Sequence, residues 1–177
     1  MKHLFFVTII WLLIIGLVPA AYSAEAVKIG VIDFEKIMKE SSAGKMNQKD
    51  LNTRGTELKN KLEKEKQQLD AISQSFEKEA LVLSEEKKRE RERDFRNQVE
   101  DFRIKQQDYA NELKNLEIKM INDMQKAVYD IANELGKKEK YTIIIEKKNA
   151  GVIYIAEQVD VTDIVIKKYN DAMARGN

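Results

Sequence analysis

The sequence predicts an α+β protein in which a small β body carries a long antiparallel coiled-coil hairpin of two helices. Apolar residues between positions 45 and 135 recur in two runs at alternating steps of three and four. This spacing is typical of supercoiled helices. No proline interrupts the runs, and short β-type segments flank them on both sides. Three short strands per chain cannot close a sheet, so we expect other copies of the chain to complete the body.

The first residues have the features of an export signal. Lys2 supplies a positive start, and Leu4 to Val18 form an apolar run of about fifteen residues, the length of a signal core and short for a membrane span. Pro19 and small residues follow. We therefore expect residues 1–26 to be a signal peptide, with cleavage after Ser23, Ala24 or Ala26. An uncleaved membrane anchor is the alternative.

The charge of the mature chain is balanced, because loss of Lys2 leaves 30 basic and 30 acidic side chains. We therefore expect neither nucleic acid nor anionic lipid as the main partner. The only histidine lies in the signal, and there is no cysteine. The usual nucleophile–base pairs and zinc ligands are thus missing, and no phosphate-binding loop is present. We expect no enzyme, cofactor or metal site. A hydrolase built only from carboxylates is kept as a remote alternative.

The body is predicted from residues 27–44 and 136–177. Val27 to Phe34 form a strand whose Val27, Ile29 and Val31 alternate with the other residues and should be buried. Asp33 is a plausible N-cap for a short helix at residues 35–39. Ser41, Ser42 and Gly44 then bend the path of the chain.

The hairpin is predicted at residues 45–135. Its first helix should end near Ala80 and its tip should lie near residues 81–84. Ser84 is the natural N-cap of the returning helix, and Gly136 is its expected C-terminal stop. The side chains expected between the helices are Leu58, Leu62, Glu65, Leu69, Ile72 and Phe76 in the first helix, and Phe95, Val99, Phe102, Gln106, Tyr109, Leu113, Leu116 and Met120 in the second.

Two more strands are predicted after the hairpin. Tyr141 to Glu146 form the first, a turn follows at Lys147 to Gly151, and Val152 to Ala156 form the second arm. Asp160 or Thr162 should cap a last helix. The residues predicted to build the oligomeric body are Ile29, Val31, Ile143, Ile144, Ile145, Ile153 and Ile155.

Five apolar residues of the hairpin are candidates for contact with a bound chain. Leu81, Val82 and Leu83 lie at the predicted tip, where they either staple the turn or form an exposed grip. Ile104 and Ile118 share the heptad position opposite the helix interface, where single surface isoleucines are also normal. The charged block at residues 85–94 has interspersed signs, which predicts a solvated helix face.

The order of these motifs resembles the OmpH family of periplasmic chaperones, also called the Skp family. The resemblance spans essentially the whole mature chain. Its more specific parts are the opening strand Lys28 to Phe34, the tip segment Ala80 to Glu92 (ALVLSEEKKRERE), and the close from Tyr141 to Asn170. The helices match in pattern only.

The resemblance implies a homotrimer in which strands of three subunits form the body and three hairpins surround a cavity. It also implies an ATP-independent holdase that binds unfolded outer-membrane proteins in the periplasm and releases them to the assembly machinery. Well-studied members of the family are strongly basic, whereas this mature chain is near neutral, so no lipopolysaccharide-binding residues are carried over. Contact with lipopolysaccharide or membrane is left open. The alternative function is a structural coiled-coil adaptor or spacer of the cell envelope.

Overall fold

A computed structural model describes residues 27–176, and the predicted signal peptide lies outside them. The α+β class with a long helical hairpin is confirmed. The elements are β1 (Ile29–Ile32), α1 (Phe34–Glu40), α2 (Ser42–Glu79), α3 (Glu85–Glu139), β2 (Ile143–Glu146) and α4 (Thr162–Gly176), with a short 3-10 turn at Glu157–Val159 before α4.

The sheet of the described chain has two parallel strands rather than three. β1 pairs with β2 in a register that joins Ile29 to Ile143 and Ile32 to Glu146. The prediction of a strand at residues 152–156 is wrong for the single chain, where this segment has no strand pairing. An isolated bridge joins Val31 to Asp160, and Val31 carbonyl oxygen accepts the N–H of Val161. The chain after β2 therefore crosses to the other edge of β1 instead of turning back beside β2.

The burial of β1 also differs from the prediction. Val31 is only 3% exposed, as expected, but Val27 and Ile29 are 68% and 43% exposed. Ile32 enters the core instead, at 2% exposure. Gly30, Val31 and Ile32 are all buried, so the strand is covered on both faces and the predicted alternation of buried and exposed residues is not found.

One hydrophobic core joins the small elements to the root of the hairpin. It combines residues of β1, α1, the start of α2, the end of α3 and α4. Its buried members are Ile32, Ile37, Ala43, Met124, Val128, Leu135, Val161, Val165 and Tyr169. After Met120 the heptad spacing of α3 slips to a broader apolar stripe at Met124, Ala127, Ile131 and Leu135. This stripe coincides with the core, because that part of the helix packs against the body on more than one side.

The corner between α1 and α2 is fixed by capping and by a close backbone contact. Asp33 carboxylate accepts the N–H of Lys36 at 3.0 Å, and Ser41 hydroxyl accepts the N–H of Gly44 at 3.0 Å. A Cβ atom on Gly44 would lie 1.8 Å from the carbonyl oxygen of Met38. Only glycine fits there. Since Ser41 is the N-cap, α2 begins at Ser42 and not at Lys45.

The predicted cap at Ser84 is confirmed, but the predicted stop at Gly136 is wrong. Ser84 hydroxyl accepts the N–H of Lys87, and α3 begins at Glu85. The helix continues to Glu139 and ends at Lys140, whose φ is 57°. Gly136 lies within the last turns of α3, where a Cβ would meet only Ile144 Cδ1 at 3.6 Å, an ordinary contact distance. The position therefore does not require glycine for packing.

Candidate functional site

The hairpin tip, residues 81–84, presents two exposed apolar side chains. Leu81 is 90% exposed and Val82 is 85% exposed, whereas Leu83 is half-buried. The turn is held by the N–H groups of Val82 and Leu83, which both donate to the Glu79 carbonyl oxygen. The side chains of Leu81 and Val82 therefore form the exposed apolar surface of the tip, whereas the side chain of Leu83 is partly covered.

Ile104 and Ile118 are exposed on the outer face of α3, at 46% and 45%. They lie fourteen residues apart, which is about 21 Å along a helix. The structure therefore does not bring the five hairpin candidates together into one site. It spreads them from the tip toward the root, as separate apolar residues on a surface that also exposes Val99 and is mostly charged and polar.

The body candidates divide into buried and exposed residues. Val31 is buried, and Ile144, Ile145 and Ile155 are half-buried. Ile29 and Ile143 are register partners, so both side chains lie on the sheet face away from the core, at 43% and 49% exposure. Ile153 is 99% exposed. The neighbouring Tyr154 is 83% exposed. It was not among the predicted body residues, although it lies inside the predicted strand.

Sequence reasoning also missed a groove at the root of the hairpin. It has a volume of about 730 Å3 and lies between α1, the start of α2, the later part of α3 and the turn after β2. Met38, Met120 and Ile121 are among its apolar lining residues. The slip of the heptad spacing at Met120 was the signal for this place, since a helix that leaves a coiled coil exposes part of its apolar stripe.

Ion pairs connect the two helices near the root, the middle and the tip. Arg54 Nε donates to Glu112 Oε1 at 2.6 Å, Lys105 Nζ to Glu65 Oε2 at 3.0 Å, and Arg91 lies 3.3 Å from Glu79. The hydrogen bond with Glu65 raises the pKa of Lys105. All these groups are accessible to solvent, which screens each pair, so the pairs contribute little to stability. The charged side chains of the hairpin thus pair mainly with one another, within a helix or between the two helices.

Two further features bear on the kind of site. Among residues 27–176, the acidic side chains do not form a cluster able to hold a metal ion. None of the helices within these residues combines the length and apolar character needed to cross a membrane.

The fold and these surfaces define a class of protein: a small α+β body with a long two-helix arm and dispersed exposed apolar side chains. Comparison with known proteins agrees. The family model described as outer membrane protein (OmpH-like) matches residues 28–169. A Skp-like protein of Chlamydia pneumoniae is 24% identical over 179 residues, covering all of both chains.

A solved structure has the same fold. It is described as a putative outer membrane chaperone (OmpH-like) from Caulobacter crescentus and superposes with a TM-score of 0.77 at 14% identity. The match covers 82% of this chain and 85% of that one. This chain therefore belongs to the OmpH-like family, as its sequence motifs indicated. Membership supports a chaperone role.

Proposed function

We propose that this chain is an ATP-independent holdase of the periplasm, which binds unfolded outer-membrane proteins and prevents their aggregation before they pass to the assembly machinery. The observation that carries the proposal is the arm itself. Between residues 59 and 123 no side chain is fully buried, yet Leu81, Val82, Ile104 and Ile118 leave apolar surface exposed. Such a surface offers many weak contacts and no enclosed site.

Weak contacts at several points suit a client without fixed structure. One exposed isoleucine contributes little, but several that engage the same chain act together through effective concentration. Release then requires no nucleotide, because a client that folds elsewhere withdraws each weak contact in turn. The relative described as a Skp-like protein and the solved structure described as a putative outer membrane chaperone support this function for the present chain.

We further propose that the working form is a homotrimer joined through the body. The outer edge of β2 has no strand partner in the two-stranded sheet of the described chain. The same chain holds an extended apolar segment at 152–156, in which Ile153 and Tyr154 are almost fully exposed. An open edge and an unpaired strand-like segment on each copy are suited to pairing between copies.

The trimer can be tested with a matched pair of charged variants. Ile143→Asp places a charge on the exposed sheet face, whereas Ile118→Asp places one at a similarly exposed position of the hairpin (49% and 45%). We expect Ile143→Asp to give folded monomers and Ile118→Asp to remain trimeric by sedimentation. A wild-type protein that sediments as a monomer would refute the proposal.

The holdase function is tested by aggregation of an unfolded outer-membrane barrel protein. The mature chain should suppress aggregation, with an affinity that changes little between low and moderate salt because it carries no net charge. A quadruple variant, Leu81, Val82, Ile104 and Ile118 to serine, should hold the client less well while helicity and oligomer persist. Each single variant should behave almost as the wild type.

Two results would contradict these expectations. A steep loss of affinity with salt, together with an unaffected quadruple variant, would assign the grip to charged groups instead. Binding of one folded envelope protein without any effect on unfolded barrels would favour the structural adaptor.

A further inference from the structure

The groove at the hairpin root differs in character from the scattered apolar points of the arm. Its floor is continuous and apolar, with Leu51 from α2, Ile121 and Met124 from α3, and Met38 from α1. Met124 is only 4% exposed, whereas Leu51, Ile121 and Met38 are half-buried. The volume of about 730 Å3 lies in the range of ligand-binding clefts.

The methionines make this floor adaptable. Met38, Met120 and Met124 all line the groove. Methionine is unbranched and polarizable, so it fits apolar side chains of different shapes and is common on surfaces that bind many partners. A floor of this kind suits an occupant whose side chains vary from one molecule to the next.

The charges on the rim cancel. Glu35 and Lys39 form an ion pair at 2.7 Å, and Glu146 Oε2 accepts the backbone N–H of Asn149 at 2.6 Å. Three acidic and three basic residues line the groove in all: Glu35, Glu117, Glu146, Lys39, Lys45 and Lys148. A balanced rim gives no advantage to an anionic or a cationic occupant, and it favours one without net charge.

The uncharged part of the rim is rich in carboxamides. Asn47 and Gln48 lie on α2, Gln125 on α3 and Asn149 in the turn after β2. A carboxamide carries both donors and an acceptor, as does each peptide unit of an unpaired backbone. Gln48 Nε2 donates to Asn52 Oδ1 and Gln125 Nε2 donates to the Tyr129 hydroxyl. The carboxamide oxygens of both residues, and the second hydrogen of each NH2 group, are left to pair with the N–H and C=O groups of an extended chain.

We propose that this groove binds an uncharged, extended segment of an unfolded polypeptide whose alternate side chains are apolar. Alternate residues would enter the methionine floor while the residues between them face the polar rim and solvent. Membrane-spanning β-strands have this alternation and carry little charge. The inference rests on the proposed holdase function and assigns it an anchoring site separate from the arm.

Photo-crosslinking tests the position of the peptide. A photoreactive residue replaces Gln48 at the groove rim or, as the control, Gln67 on the exposed face of the same helix. The probe is an uncharged peptide of about ten residues, the length of a spanning strand, with alternating leucine and serine. We expect position 48 to capture this peptide several-fold more efficiently than position 67, and more efficiently than a peptide of equal composition with its leucines grouped.

A pair of double variants tests the contribution of the floor. Leu51→Ser with Ile121→Ser should weaken binding of the alternating peptide by about tenfold, since two apolar contacts are lost at the centre of the site. Ile164→Ser with Met173→Ser also removes two apolar side chains, but from exposed positions of α4 that do not line the groove, and should leave this peptide's affinity unchanged. Sedimentation and circular dichroism show whether each variant keeps its fold.

The outcomes separate the groove from the holdase function. If the wild type suppresses barrel aggregation while positions 48 and 67 capture the peptide equally, the groove assignment is wrong and the holdase stands. If crosslinks at position 48 join two copies of the chain without peptide, a second copy occupies the groove and the assignment is likewise wrong. If the wild type fails to suppress aggregation, the proposed function falls, and the peptide capture shows whether the groove binds chains for another purpose.

Discussion

Nine buried residues form one cluster in the body and hairpin root, whereas no side chain between residues 59 and 123 is fully buried. The body is thus stabilised by long-range packing of several elements. The arm is stabilised by two continuous helices, a half-buried interface and exposed ion pairs. One chain thus combines a rigid body with an arm whose surface stays accessible to solvent. The arm keeps its shape with apolar residues that are only half-buried, because its helices and ion pairs are local structure.

The largest expected difference between body and arm is the loss of stability when a large apolar side chain is shortened to alanine. Leu135→Ala removes a body side chain that is 2% exposed and should lower the free energy of unfolding by about 2–5 kcal/mol. Leu69→Ala removes a half-buried side chain of the arm and should cost less than half as much. Denaturant unfolding measures the loss of stability in each variant, and hydrogen exchange shows which region of the chain is destabilised. Equal costs, with global loss of protection in both variants, would show that arm and body unfold as one unit.

A smaller effect compares two helix caps. Asp33 caps α1 in the body and Ser84 caps α3 at the tip. Replacing either with alanine should cost about 1 kcal/mol locally. Because Asp33 also lies 3.5 Å from Lys147 and joins body elements, Asp33→Ala should lower the midpoint of global unfolding. Ser84→Ala should only speed hydrogen exchange near the tip, and a shift of the global midpoint by this variant would contradict the comparison.

Asp33 should also make the body sensitive to acid. The hydrogen bond from the Lys36 N–H, with smaller help from Lys147, lowers the pKa of Asp33 below its ordinary value of 3.8. The charged form is therefore favoured in the folded state, so its stabilising effect is present above pH 3.8 and is lost as the pH falls through the lower folded pKa. Asp33→Asn keeps a cap without a charge, and its stability difference from the wild type should shrink in this acidic range.

The smallest expected effect is a gain. Gly55 lies inside α2, and a Cβ atom there would meet only Leu113 at 3.9 Å, an ordinary contact distance. Gly55→Ala should therefore stabilise the arm by about 0.5–1 kcal/mol through helix propensity. The gain should appear as slower hydrogen exchange in the arm with little change in the body. A destabilised arm would show that the glycine is needed for the approach of the two helices.

The regions also differ in how far sequence predicts them. The hairpin follows from heptad spacing and from Ser84, because these signals act within a few residues of each other. Most errors lie in the body: the burial of β1, the stop at Gly136 and the strand at 152–156. In the hairpin, Val99 was expected between the helices but is 43% exposed. The burial of β1 and the strand at 152–156 depend on which distant element packs alongside. β propensity at Val152 to Ala156 cannot supply a strand partner, and a glycine at position 136 does not stop a helix that continues to Glu139. The root groove was missed for the same reason, since its walls come from four separate segments.

The parallel pairing of β1 with β2 has a consequence for the rate of folding. Lys28 N–H donates to the hydroxyl of Thr142, 114 positions later in the chain. A flexible loop of this length would have to close by diffusion, and such non-local pairing slows folding. Here the intervening chain forms helices, which grow within about a microsecond and lie antiparallel. As the helices zip from the tip toward the root, they bring the two strands to within pairing distance. The arm thus brings two strands that are distant in sequence close together in space before they pair. We expect a flexible break in the middle of the hairpin to delay sheet formation more than an insertion at the tip.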